Sequence, residues 1–289
     1  PNPPPAVWSS FEGDVDPYGG TGLAYLGRPL EFTIYANDSD CAEVPGSPAI
    51  SMGPMPPGAA LAPQEACAAC PSEVWSTVRS YLGRNATTAR RCTVQQRRFR
   101  WDVPLTYGGY RARHCFHATD TCGDDPACAG RVPVPLCIDF AVARCRYAVR
   151  SESTVSEIAS LFGTDWIQVW NLNTILDSPD AILFQHQVLA IGRVYTVGVG
   201  DTLLRLAQRF GTTAASLAAL NYEVGERNST ALAAGQALCV AANPCFGAVQ
   251  SDYDAAPRGD QAVERWYAGV QAAYAALRQA QAQRQPLQP

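Results

Sequence analysis

From Tyr147 onward, one pattern of apolar and polar positions occurs twice. Tyr147, Val149, Thr154, Ala159, Phe162, Gly163, Thr164 and Asn173 recur 48 residues later as Tyr195, Val197, Thr202, Ala207, Phe210, Gly211, Thr212 and Asn221. Val155, Ile158, Val169 and Leu172 meet Leu203, Leu206, Leu217 and Leu220 at the same offset. The second copy then gains one residue, aligning Gln187, Leu189 and Ile191 with Gln236, Leu238 and Val240. A period of this length marks one structural unit used twice.

Each unit reads strand, helix, helix, strand. Tyr147 and Val149 alternate along the chain, as do Tyr195 and Val197, which predicts short half-buried strands. Thr154-Val155-Ser156-Glu157 has the form of a capping box, and Asp201 or Thr202 serves the second copy. Val155, Ile158, Ala159 and Phe162 follow at helical spacing, as do Leu203, Leu206, Ala207 and Phe210. Gly163 and Gly211 stop these helices, and Thr164 or Thr212 begins the next, which ends near Asn173 or Asn221. Val188 to Ile191 and Ala237 to Val240 are the closing strands.

Residues 7–144 carry a different period. Leu30, Phe32 and Ile34 alternate with Glu31, Thr33 and Tyr35. Phe99 and Trp101 alternate with Arg98 and Arg100, and Leu136, Ile138, Phe140 and Val142 form a last strand. Short alternating strands separated by Pro and Gly clusters predict a β-sandwich. Residues 63–93 read as an insertion, with Val74, Trp75 and Val78 on one helical face.

The repeats resemble the LysM carbohydrate-binding module. The second copy carries Tyr195, Val197, Gly200-Asp201-Thr202-Leu203, Leu206-Ala207, Phe210, Leu217, Asn221, Gly235-Gln236 and Leu238 of that pattern. In the first, Glu152 and Ser153 stand where Gly-Asp is usual, and His186 replaces the glycine before Gln187. The resemblance implies modules at 146–192 and 194–242 that recognise N-acetylglucosamine-containing glycans such as chitin or peptidoglycan. The implied groove lies between the first turn and the loop after the second helix. In the second copy these are Gly200, Asp201, Thr202 and Leu203 with Asn221, Tyr222, Glu223 and Val224. In the first they are Ser153, Thr154 and Val155 with Thr174, Ile175, Leu176 and Asp177. The better match makes the second copy the expected binder. Asp201 and Thr202 have two readings, helix caps and sugar contacts, and both stay open.

The N-terminal part is similar to immunoglobulin-like or cadherin-like surface domains. The pieces that carry this are Gly27-Arg28-Pro29-Leu30-Glu31-Phe32-Thr33, Pro56-Pro57-Gly58-Ala59-Ala60-Leu61, Phe99-Arg100-Trp101 and Ala118-Thr119-Asp120. The expected fold class is therefore multidomain: an immunoglobulin-like β-sandwich, two α+β (βααβ) LysM modules, and a C-terminal helix.

Composition adds a compartment. Eleven cysteines in 289 residues suit an oxidising environment. Sequons at Asn37, Asn85 and Asn228 fit a secreted glycoprotein, and a chain beginning at Pro1 fits one whose leader has been removed. The expected location is extracellular: matrix, cell wall or cell surface. The disulfide candidates are Cys41, Cys67, Cys70, Cys92, Cys115, Cys122, Cys128, Cys137, Cys145, Cys239 and Cys245. Their odd number leaves one free or paired between chains. Cys67-Ala68-Ala69-Cys70 lacks the second close pair of a zinc site and the strand–helix context of a redox motif, so its cysteines are expected to bond to separate partners. Cys122 and Cys128 suit a local bridge, and Cys145 suits a bridge to Cys239 or Cys245.

Nothing points to catalysis, a metal or a cofactor. The three histidines share no metal-ligand spacing, and no nucleophile elbow, HExxH, P-loop or dinucleotide fingerprint is present. A wall hydrolase is the minor alternative. A net charge of −4 argues against a nucleic-acid binder, and no apolar run is long enough to span a membrane. Charge is uneven, however: eight arginines and one aspartate lie between Arg84 and Arg113. That stretch reads as a solvated face, as a contact for acidic or sulfated polysaccharide, or as a contact for the acidic part of a neighbouring subunit. Residues 246–289 hold an amphipathic stripe of Val263, Trp266, Val270, Tyr274 and Leu277. With the Pro-rich arm at 1–6 and the odd cysteine, this stripe makes self-association into an extracellular fibre the second expectation, with the modules as packing units.

Overall fold

A computed structural model describes residues 6–9, 15, 20–37, 48–68, 70, 72, 74, 94–119, 135–227 and 232–243. Cys41, Cys92, Cys122, Cys128, Cys245, Asn85, Asn228, residues 1–5, most of the 63–93 insertion and the 246–289 helix lie outside them.

The N-terminal half forms two facing sheets, as the alternation predicts. The first holds β1 (Ala6–Ser9), β3 (Leu30–Asn37), β7 (Gln95–Trp101) and β5 (Ala59–Leu61) in that order, with β6 (Glu65–Ala66) also on β7. The second is built on β9 (Leu136–Ala148), flanked by β8 (Arg111–Thr119) and, in parallel, by β2 (Gly20–Leu26). β4 (Ala49–Met52) extends it beyond β8. Phe32 and Phe99 of the first sheet meet Phe116 and Phe140 of the second at ring-centroid distances of 5.4–6.1 Å. Phe99, Phe116 and Phe140 are wholly enclosed. Burying four such rings between two sheets stabilises the sandwich.

The boundary between the sandwich and the first repeat lies inside a strand. β9 is 13 residues long, and its last three, Arg146 to Ala148, pair with β12 (Val188–Ala190), the closing strand of the first repeat. One continuous strand therefore replaces the two expected at Leu136–Val142 and Tyr147–Val149. Cys145, at φ 58°, turns it from one unit into the other.

The first repeat continues with β10 (Ser153–Thr154), α1 (Val155–Leu161), α2 (Trp166–Leu172) and β11 (Ile182–Leu183). The second comprises β13 (Arg193–Thr196), α3 (Leu203–Phe210), α4 (Ala214–Ala219), α5 (Tyr222–Arg227) and β14 (Ala237–Val240). The expected capping box is present: Thr154 accepts from the Glu157 amide and Glu157 accepts from that of Thr154. The second helices start one residue later than expected. Asp165 and Thr213 cap them, whereas Thr164 and Thr212 are buried, their amides closing the preceding helices on Ala159 and Ala207.

The sequence offsets reappear as strand register. Tyr147 lies opposite Leu189 and Tyr195 opposite Leu238. Tyr147 meets Phe162, and Tyr195 meets Phe210, at 5.2 Å in both repeats. The cores differ in their connections. Val149, Val155, Ile158, Val169 and Leu189 of the first repeat belong to one cluster with the sandwich. Val197, Leu203, Leu206, Leu217 and Leu238 form a separate core in the second.

Candidate functional site

The two implied grooves end up in different surroundings. In the first repeat, Thr154 is exposed and lies opposite Ile182 in the β10–β11 pair. Leu183 points inward, while Ile182 and Phe184 on either side of it are 54% and 71% exposed. Across the groove Thr174 and Asp177 are exposed and Ile175 is 67% exposed. Both implied segments thus offer polar atoms beside uncovered apolar side chains. Val155 and Leu176 face the core and are unavailable to a ligand.

In the second repeat, Gly200 and Thr202 are exposed, and Asp201 is partly so. The two readings of Asp201 and Thr202 separate here. Thr202 caps α3 through the Arg205 amide. Asp201 instead accepts from the Tyr195 hydroxyl at 2.7 Å and the Gly198 amide at 2.8 Å. These hydrogen bonds, the first above all, hold its carboxyl below the usual range, and the same bond raises the Tyr195 phenol. Arg209 donates to the Tyr195 hydroxyl and lies over the Tyr195 and Phe210 rings. Leu203 and Val224 are core residues.

Asn221 is a correction. It is wholly buried and clamps the closing strand: its Nδ2 donates to the Leu217 and Cys239 carbonyls, and its Oδ1 accepts from the Cys239 amide. Asn173 makes the same three bonds to Val169 and Ala190. The recurrence of this asparagine reflects a buried backbone clamp and not a sugar contact.

Tyr222 and Glu223 are occupied by the sandwich. The Tyr222 ring lies 4.6 Å from that of Tyr107 and 4.9 Å from that of Tyr110, and its amide donates to the Gly108 carbonyl. Glu223 accepts from Arg144 at 2.5 and 3.1 Å, and Arg144 also reaches Asn221. A Cβ at Gly109 would overlap the Arg144 guanidinium, so the approach depends on glycine there. The sequence signal for this docking was Tyr107-Gly108-Gly109-Tyr110, small residues between aromatics.

Three bridges lie among the described residues. Cys115–Cys137 joins β8 to β9, and Cys145–Cys239 joins the sandwich strand to the second repeat. Cys67 and Cys70 bond to each other, not to separate partners as expected. Asn37 is 4% exposed with an enclosed Nδ2, which leaves no room for a sugar on that nitrogen in the folded domain. Among the described residues no helix is long and apolar enough to cross a membrane.

Residues 147–192 and 195–241 each match the family model of the LysM domain. The chain carries two LysM domains. No curated protein matched in a sequence comparison. Among solved structures, the chain is similar to a mutant SrpA adhesin from Streptococcus sanguinis, at 14% identity and a TM-score of 0.26. That match covers 48% of this chain and 58% of the adhesin chain. It is also similar to the zebrafish RET cadherin-like domains 1 to 4, at 13% identity and a TM-score of 0.27, over 47% of this chain and 27% of that one.

Proposed function

We propose that this is a secreted, non-catalytic glycan-binding protein that recognises N-acetylglucosamine-containing polysaccharide through its first LysM domain. LysM domains are in general carbohydrate-binding modules for such sugars. The observation that carries the choice of domain is the contrast in cover. Ile175, Ile182 and Phe184 stand exposed around Thr154 and Thr174 to Asp177, while Tyr222 and Glu223 of the second domain are held by the sandwich. An acetamido sugar needs an apolar wall beside a few polar atoms, and only the first domain keeps both implied segments open. The three described disulfides support an extracellular site. Sequence positions outside the best family match are then the ones in use, and the second domain contributes mainly docking.

Titration of the whole chain with chitin oligomers, followed by amide NMR, tests this. Shifts at Ser153, Thr154 and Thr174 to Asp177, lost on Ile175→Asp, are expected. Shifts confined to Gly200 to Thr202 would move the site to the second domain, and none at millimolar ligand would refute glycan binding of this class.

A further inference from the structure

A cleft of about 530 Å³ lies where the second LysM domain meets the outer face of the sandwich. This volume falls within the range of small-molecule sites. Its floor is a row across three strands: Leu23 of β2 is opposite Ala141 of β9, which is opposite Arg111 of β8. The docked edge of the LysM domain, Tyr222, Glu223 and Ala237, lines it as well, as does Arg144.

The charges in this cleft do not cancel. One row along the same face, Arg113 lies opposite Asp139 and is held by it at 2.7 and 2.8 Å. Arg111 lies opposite an alanine. It has neither an ion pair nor a hydrogen bond among the described residues, while Arg144 and Glu223 neutralise each other. Gly109, Ala141, Ala143 and Ala237, with little or no side chain to fill it, line the same cleft as Arg111 and Tyr222. Arginine presents a planar fork that matches carboxylate and sulfate oxygens. Tyr222 and Leu23, which both line the cleft, offer apolar surface to the flat face of a sugar.

We propose that this interdomain cleft is a second glycan site, which takes an acidic saccharide with its carboxylate or sulfate on Arg111 and its ring against Tyr222. It shares Tyr222 and Glu223 with the groove implied for the second LysM domain and nothing with that of the first, so it stands or falls apart from the site in the first domain. It exists only while the second LysM domain is docked, because both domains line it.

The test uses the whole chain in calorimetric titrations with three probes: an oligogalacturonate, a sulfated chondroitin oligosaccharide and a neutral chitin oligomer. At least one acidic probe is expected to bind saturably, and the one that binds identifies the anion. Arg111→Gln, at an exposed and unpaired position, should weaken that binding tenfold or more and leave chitin-oligomer binding unchanged. Ala141→Trp, which fills the floor, should also abolish it. Absence of binding by both acidic probes, or acidic binding that survives both substitutions, would overturn the proposal. Loss of chitin-oligomer binding alone would bear on the first domain and not on this cleft.

Discussion

Cys145 and Cys239 are joined across 94 residues of sequence, so the strand that leaves the sandwich is fastened covalently to the closing strand of the second LysM domain. Both are buried, and the Cys145 carbonyl also accepts from the Ile191 amide. A bridge closing so long a loop removes much chain entropy from the unfolded state. Replacing both residues with alanine should cost about 2–5 kcal/mol in denaturant unfolding. The loss should appear first in the second domain, whose core is separate from that of the sandwich.

The asparagine clamps give a second expectation. Asn221→Ala would leave the Cys239 amide and carbonyl and the Leu217 carbonyl buried without partners. A cost of about 2–4 kcal/mol follows from stranding buried polar groups. Asn173→Ala should cost a similar amount, measured by thermal unfolding. If either variant kept full stability but lost sugar binding, the clamp reading would be wrong.

His186 occupies the place that Gly235 holds in the second repeat, and both are in the left-handed region, at φ 68° and 84°. A side chain with a Cβ is disfavoured there. His186 is exposed, so His186→Gly should stabilise the first LysM domain by about 0.5–1 kcal/mol. Gly235→Ala should show the opposite sign in the same urea titration.

His114 ties acid stability to docking. Its Nε2 meets the Tyr110 hydroxyl and its Nδ1 the Pro54 carbonyl, each at 3.0 Å, and it packs on Phe140. Burial lowers its affinity for a proton and outweighs the opposing effect of the Pro54 bond. The unfolded chain therefore takes up a proton from about pH 6.5 downward, before the folded protein does. Stability is present above that pH and falls as pH drops through the lowered folded value. Unfolding midpoints measured from neutral pH to about pH 5 should decline, and less steeply in His114→Gln. Because Tyr110 also packs on Tyr222, Tyr222 fluorescence should report loosening of the second domain in the same interval.

Local pattern made the strand, helix, helix, strand order of both repeats legible, because a helix or strand face is set by neighbours in sequence. The sandwich strands around Phe32, Phe99 and Phe140 were legible for the same reason. What was not legible depends on contacts between distant segments. Tyr222 looked like a groove residue until Tyr107 and Tyr110 were seen against it, and Asn221 looked polar and available until Cys239 closed over it. Cys67 and Cys70 pair with each other, a choice that depends on where cysteines lie in space. Spacing does not disclose that.

The shared strand β9 has a mechanical consequence. If a wall polymer pulls on the first LysM domain, no flexible linker takes up the load. The tension runs directly along a strand bonded on both sides, to β8 and to β2. Those ladders are then loaded in shear, with many hydrogen bonds resisting together. The first domain is therefore anchored as a rigid extension of the sandwich, and its hold on a sugar should yield before its attachment does.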